Sequence, residues 1–171
     1  CLFGLDKPAG EFDSVDSKLL NSIANESAIY LENAMLFDDV HGLMMGLLHS
    51  LTSAVGAKDA YTCGHSERVA LLSRHLAGQA GLADHDVERV YMAGLLHDVG
   101  KIGVPDSILL KQGKLTREER ITMNAHPVLG AQIIGPVDRL APELPVIRHH
   151  HEWYNGSGYP DRLMGDEIPK L

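Results

Sequence analysis

The chain has 171 residues, 15 basic against 23 acidic side chains and a formal net charge of −8, with ten histidines and two cysteines. That balance excludes a general nucleic-acid or anionic-membrane binder, which would display clustered Lys and Arg, but not a small anionic substrate held at a local site. Cys1 and Cys63 cannot form a disulfide framework, so a reducing, cytoplasmic setting is expected. No apolar run approaches the roughly 18 residues of a membrane helix, and no signal peptide is visible. The chain begins with Cys1 rather than Met, which points to processing or to a piece of something longer.

Residues 1–12 read as a strand end and a turn. Asp13 is a helix N-cap with Asp16 in the first turn. Apolar or small residues then recur in steps of three or four at Leu20, Ile23, Ser27, Leu31, Ala34, Phe37, His41, Met44, Leu48, Leu51 and Val55. Two readings fit: one parallel, dimer-forming linker helix with a coiled-coil seam, or two amphipathic helices broken near Gly42 and Gly46. A second helix is expected over 65–80, with His65, Val69, Leu72 and Leu76 on one face and Gly81 closing it. A third spans 84–99, carrying Val87, Val90, Gly94 and His97.

No proline occurs between Pro8 and Pro105, which suits long helices; the six that follow Pro105 predict shorter ones. Thr116 and Glu119 form a capping box for a helix over 117–125. Pro127 fits the first turn of a helix that ends near Gly135. A further short helix carries Leu144, Ile147 and three consecutive histidines, and residues 155–160 form a loop. The fold class is therefore all-α, with a short strand remnant at the N-terminus.

A lone histidine on an apolar helix face is ordinarily a core residue; number and company argue otherwise here. His97 and Asp98 are adjacent near a helix end, followed by Gly100 and Lys101. Imidazole with carboxylate suits Fe, Mn or Zn, and no thiolate set exists for a structural zinc site. His41, His49, His75 and His85 read as linker, core-edge or surface residues.

His97-Asp98-Val99-Gly100-Lys101, then His149-His150-His151-Glu152 and Gly156-Ser157-Gly158-Tyr159-Pro160, resembles the HD-GYP subgroup of HD-domain phosphohydrolases. The likeness extends over residues 57–69 and 102–109, then Lys114-Leu115-Thr116 and His126-Pro127, so it covers about residues 45–171. It implies an all-helical HD-domain bundle that hydrolyses cyclic di-GMP, and sometimes related cyclic dinucleotides, to pGpG or GMP with water activated at a metal pair. By position, His65, His97, Asp98, His126, His150 and His151 would be ligands, with Asp98 bridging two divalent ions, Fe or Mn. His97 and Asp98 would thus be catalytic, and Lys101 would contact substrate phosphate. His149 is set aside on motif register. Tyr159 would flank the substrate in a loop linked to GGDEF-type cyclase partners, or simply anchor that loop. Asp59 is a candidate contact to substrate or to a ligand, and equally a helix cap.

Where family members with a third metal have a glutamate, this chain has Tyr61, which implies a binuclear centre. The family's further ligand aspartate lies beyond Leu171, so the HD-GYP domain, taken as residues 57–171, is expected to be C-terminally incomplete. Asn155 replaces a common aspartate, with little consequence expected. Residues 1–36 resemble the end of a GAF sensory domain, which would leave residues 37–56 as a signalling helix able to form a homodimer. Two alternatives remain on sequence alone: a non-catalytic cyclic di-GMP receptor, or an HD phosphohydrolase acting on another nucleotide.

Overall fold

The computed structural model of the protein describes residues 12–58 and 64–169; the strand remnant expected at the N-terminus lies outside the described residues, as do Asp59, Tyr61 and Cys63. The described chain is all-α. Helices α1 (Ser14–Lys58), α2 (His65–Gln79) and α3 (Asp84–Leu96) come first, then the 3-10 turn η1 (Val99–Gly103). Four short helices follow: α4 (Asp106–Leu109), α5 (Arg117–Met123), α6 (His126–Ile134) and α7 (Leu144–His149), with a 3-10 segment over Asp138–Glu143 between the last two. The one extended pairing among the described residues is an isolated bridge between Asn155 and Met164.

Two units are described separately, residues 1–46 and residues 47–171. In the first, Asp13 Oδ1 accepts the Val15 and Asp16 N–H at 2.7 and 3.0 Å, and Asp16 Oδ2 accepts the Asp13 N–H at 3.0 Å, which caps α1 reciprocally. From there α1 runs unbroken through Gly42 and Gly46, which overturns the two-helix alternative. A Cβ at either glycine would meet nothing within 4 Å, so neither marks a close crossing; the helix tolerates each at a cost of about 1 kcal/mol. Its seam residues Leu31 and Phe37 are 61% and 58% exposed.

In the second unit the core gathers Leu48, Val55, Ala70, Leu95, Leu96, Val99, Val104, Ile134, Leu140 and Ile147. Helix α2 corrects the sequence reading. Leu72 and Leu76 are exposed, and the helix turns Ala70 and Ala77 inward. The reason is close approach: a Cβ at Gly94 would lie 2.9 Å from the Ala70 Cα, so α2 and α3 cross on small residues and leave no room for leucine. Thr116 caps α5 as its spacing predicts, with Glu119 N–H bonded to Thr116 Oγ1 at 3.3 Å and Thr116 N–H to Glu119 Oε2 at 2.7 Å. The buried Glu143 carboxylate lies 3.6 Å from Arg89 Nε and ties α3 to the segment that leads into α7.

Candidate metal centre

Helix ends deliver the site. His65 opens α2, His97 closes α3, His126 opens α6, and His150 follows the last residue of α7. Turn η1 presses so tightly on α6 that a Cβ on Gly100 would overlap the His126 carbonyl and the Gly130 nitrogen. Only glycine fits there, and the contact sets His126 beside Asp98.

Two groups of donors result. His126, His150 and His151 offer ligand atoms within 4.8 Å of one another, and so do His65, His97 and Asp98. Asp98 lies between the groups: Oδ1 is 3.3 Å from His126 Nε2, and Oδ2 is 3.3 Å from His97 Nε2. Lys101 Nζ donates to Asp98 Oδ2 at 2.7 Å.

Backbone carbonyls fix the ring protons. Nδ1 of His97 donates to Gly94 O at 2.7 Å, that of His126 to Met123 O at 2.9 Å, and that of His150 to Ile147 O at 2.8 Å. A carbonyl can only accept, so in each neutral ring Nε2 keeps its lone pair and turns it toward the centre. Burial pushes His150 down to about 3 and His151 down to about 4, and lowers His65 as well, so these rings stay neutral. Burial alone would raise the Asp98 carboxyl, but the neighbouring His126, His97 and Lys101 hold it well below the usual carboxylate range.

His126 Nε2 and His150 Nε2 therefore face each other at 3.3 Å, and Nε2 of both His97 and His126 is turned toward the Asp98 carboxylate at 3.3 Å. The array gathers imidazole nitrogens and a carboxylate close enough to share a cation. The donor chemistry thus fits divalent metal, with Asp98 able to face an ion in each group.

The loop along the rim is held differently. The Tyr159 ring stacks on His151, with centroids 4.7 Å apart and planes 22° apart, and the Tyr159 N–H donates to His151 O at 3.2 Å. Burial and the Asp98 charge push the Tyr159 phenol up to about 12, so it stays protonated. Glu152 accepts the backbone N–H of Asp161, Arg162 and Leu163 at 2.7, 2.9 and 3.1 Å. Gly158 lies so near Trp153 N and Glu152 Cα that a side chain there would displace them.

The structure thus brings together His65, His97, Asp98, Lys101, His126, His150, His151 and Tyr159; Asp59 lies outside the described residues. His149 turns away, with Nδ1 2.8 Å from Pro145 O and Nε2 2.8 Å from Asp161 Oδ2. Sequence reasoning gave no role to Glu152 or Asp161. Glu152 stood in the quoted motif, but its partners are backbone groups about ten residues on, which no side-chain pattern reports.

A family model described as the HD domain matches residues 50–171. The chain belongs to the HD-domain family. Among curated relatives, a 3′3′-cGAMP-specific phosphodiesterase of Vibrio cholerae is 38% identical over 93% of this chain and 31% of its own length. A cyclic di-GMP phosphodiesterase response regulator of Xanthomonas campestris is 38% identical over 84% of this chain and 39% of its own. A cyclic di-GMP phosphodiesterase of Thermotoga maritima is 38% identical over 78% of this chain and 37% of its own. The chain spans roughly a third of the length of these relatives. Together with the Gly158-Tyr159-Pro160 loop they place this HD domain in the HD-GYP subgroup. The family match begins at residue 50, so it does not bear on the GAF resemblance of residues 1–36. Among the described residues no helix is long and apolar enough to cross a membrane.

Proposed function

We propose that this HD domain is the catalytic part of a metal-dependent phosphodiesterase that opens the ring of cyclic di-GMP, or of a closely related 3′3′-linked cyclic dinucleotide, giving the linear dinucleotide and then mononucleotide. The observation that carries this reading is the Asp98 carboxylate between two histidine groups whose lone pairs are pre-aimed by backbone carbonyls. His65, His97 and Asp98 would hold one divalent ion, and His126, His150, His151 and Asp98 a second; Fe and Mn suit this donor set. Divalent ions bound there would supply a water acidic enough to attack phosphorus and would draw charge from the phosphoryl oxygens.

Lys101 starts on Asp98 and can pass its ammonium to a non-bridging phosphate oxygen as negative charge grows. Tyr159, protonated and stacked on His151, can donate a hydrogen bond to phosphate or sugar oxygen at the rim. With Nδ1 held on a carbonyl, His97, His126 and His150 would bind an ion through Nε2, which would occupy the lone pair they would otherwise use to take a proton. A homodimer through α1 is supported by the exposed seam at Leu31 and Phe37, and a cyclase partner at the rim loop by the family resemblance. The lack of a disulfide framework supports a cytoplasmic setting, and the response-regulator name of one relative supports a signalling role.

The test is turnover by the metal-loaded protein, under reducing conditions, with cyclic di-GMP, 3′3′-cGAMP and a set of deoxynucleoside triphosphates. Cleavage of a cyclic dinucleotide is expected. Intact cyclic dinucleotides beside a hydrolysed triphosphate would overturn the reading.

A further inference from the structure

Lys58 is the last residue of α1 and lies in the same unit as the metal centre. Its ammonium donates to Ile102 O at 2.8 Å and to Val104 O at 2.6 Å, and stands 3.3 Å from Asp106 Oδ1. Of the ammonium's three N–H donors, two bond these carbonyls, and Asp106 balances the charge. The carbonyls it takes lie at and just beyond the end of η1, where a 3-10 turn runs out of its own partners. That turn is five residues long and carries Lys101. Backbone bonds close each end of the turn, Lys101 N–H to Asp98 O and Val104 N–H to Lys101 O at 3.0 Å each, and α6 packs on it at Gly100 and Gly103, which leaves the Ile102 and Val104 carbonyls to Lys58. Asp106 is largely exposed, so its ion pair with Lys58 is the weak part of the arrangement. The two carbonyl bonds are the strong part.

We infer that Lys58 is a positioning residue: it clamps the far end of the 3-10 turn and thereby holds Lys101 on the metal-centre side, so that the C-terminal end of α1 feeds directly into the catalytic turn. Among the described residues the partners of Lys58 are Ile102 O, Val104 O and Asp106, none of them a proposed ligand. It acts through the backbone of residues 102–104. Its activity consequence rests on the phosphodiesterase reading; its structural consequence does not.

The experiment compares Lys58→Met, Lys58→Arg and Asp106→Asn in the full chain, by hydrogen–deuterium exchange, metal content and turnover. In Lys58→Met, amides of residues 101–106 should exchange roughly tenfold faster, with α2, α3 and α6 unchanged. Metal content should be retained, and kcat should fall by about tenfold or more as Lys101 loses its alignment. Arginine keeps charge and multiple donors, and should restore both exchange protection and kcat to within about threefold. Asp106→Asn should stay within about twofold of wild type, because the carbonyl bonds remain. Unchanged exchange over 101–106 in Lys58→Met would overturn the proposal. So would faster exchange spread across the whole unit, which would mark Lys58 as a general stabiliser, and so would an Asp106→Asn phenotype equal to Lys58→Met. If wild-type protein cleaves no cyclic dinucleotide, the activity reading fails alone, and the exchange result still decides the role of Lys58.

Discussion

His97, His126 and His150 are aimed by the helices they close, open or follow, each ring pinned through Nδ1 to a carbonyl three residues earlier. Tyr159, stacked on His151, is aimed by a loop whose anchors are side chains: Glu152 on three backbone N–H groups, and Asp161 between Arg148 and His149. The floor of the site is thus built into secondary structure and the rim is latched onto it. Damage to the floor should remove metal and activity together, whereas damage to the rim should leave metal in place and weaken substrate handling.

The largest effect should come from Asp98→Asn. The amide keeps the shape but offers one neutral oxygen where two anionic ones faced the two groups, and it leaves Lys101 without its counter-charge. At least one bound ion per chain should be lost by metal analysis, and turnover should drop by about a thousandfold or more, with helical content unchanged by circular dichroism. Full metal occupancy in this variant would break the assignment of Asp98 as the shared ligand.

The floor also has a pH signature once stripped of metal. His150 and His151 have ordinary values near 6.5 and are pushed down to about 3 and about 4 by burial. Between those values the unfolded chain binds protons that the folded chain refuses, so stability rises with pH. The metal-free protein should therefore hold its full stability above about pH 6.5 and lose it progressively as the pH falls toward 4 and then 3, as followed by urea midpoints. A flat midpoint across that window would mean that the rings are not held neutral.

Glu152→Ala should separate rim from floor. The three N–H groups of residues 161–163 lose their acceptor, a local cost on the order of 2 kcal/mol. Metal content should be unchanged, the Michaelis constant should rise several-fold as Tyr159 leaves its stack, and trypsin should cut after the exposed Arg162 faster than in wild type. Metal loss in Glu152→Ala would show that the latch also supports the floor.

The floor was more legible in the sequence than the rim, and the reason is physical. The resemblance supplied His65, His97, Asp98, His126, His150 and His151 as proposed ligands, because ligands must be particular residue types that a motif can carry, and most of them stand at or next to helix ends. Thr116 with Glu119 and Pro127 behaved as their local chemistry dictates. The misread face of α2 came from the opposite situation. Leucine periodicity suggested Leu72 and Leu76 as core, but Gly94 brings α3 too close for anything beyond Ala70, a tertiary fact with no local trace. The continuity of α1 was undecidable because Gly42 and Gly46 weaken a helix without ending it. Lys58 and Glu152 escaped assignment because their partners are main-chain atoms, and any residue at 102 or 104 would show the same carbonyl and any but proline at 161–163 the same N–H.

Within the rim the two anchors are unequal, and Arg148→Ala measures the lesser. Its guanidinium bonds Asp161 through Nε at 2.7 Å and Nη2 at 2.8 Å, a bidentate pair that raises Arg148 and lowers Asp161 to about 2. Both side chains are more than a third exposed, at 36% and 37%, so water screens most of that attraction and the pair is worth about 0.5–1 kcal/mol. Asp161 also keeps its bond from His149, and the backbone of residues 161–163 keeps Glu152. Arg148→Ala should therefore leave metal content and kcat unchanged, raise the Michaelis constant by no more than about twofold, and lose even that small effect in high salt. An effect as large as that of Glu152→Ala would move the anchoring of the rim from the backbone N–H groups to the surface ion pair.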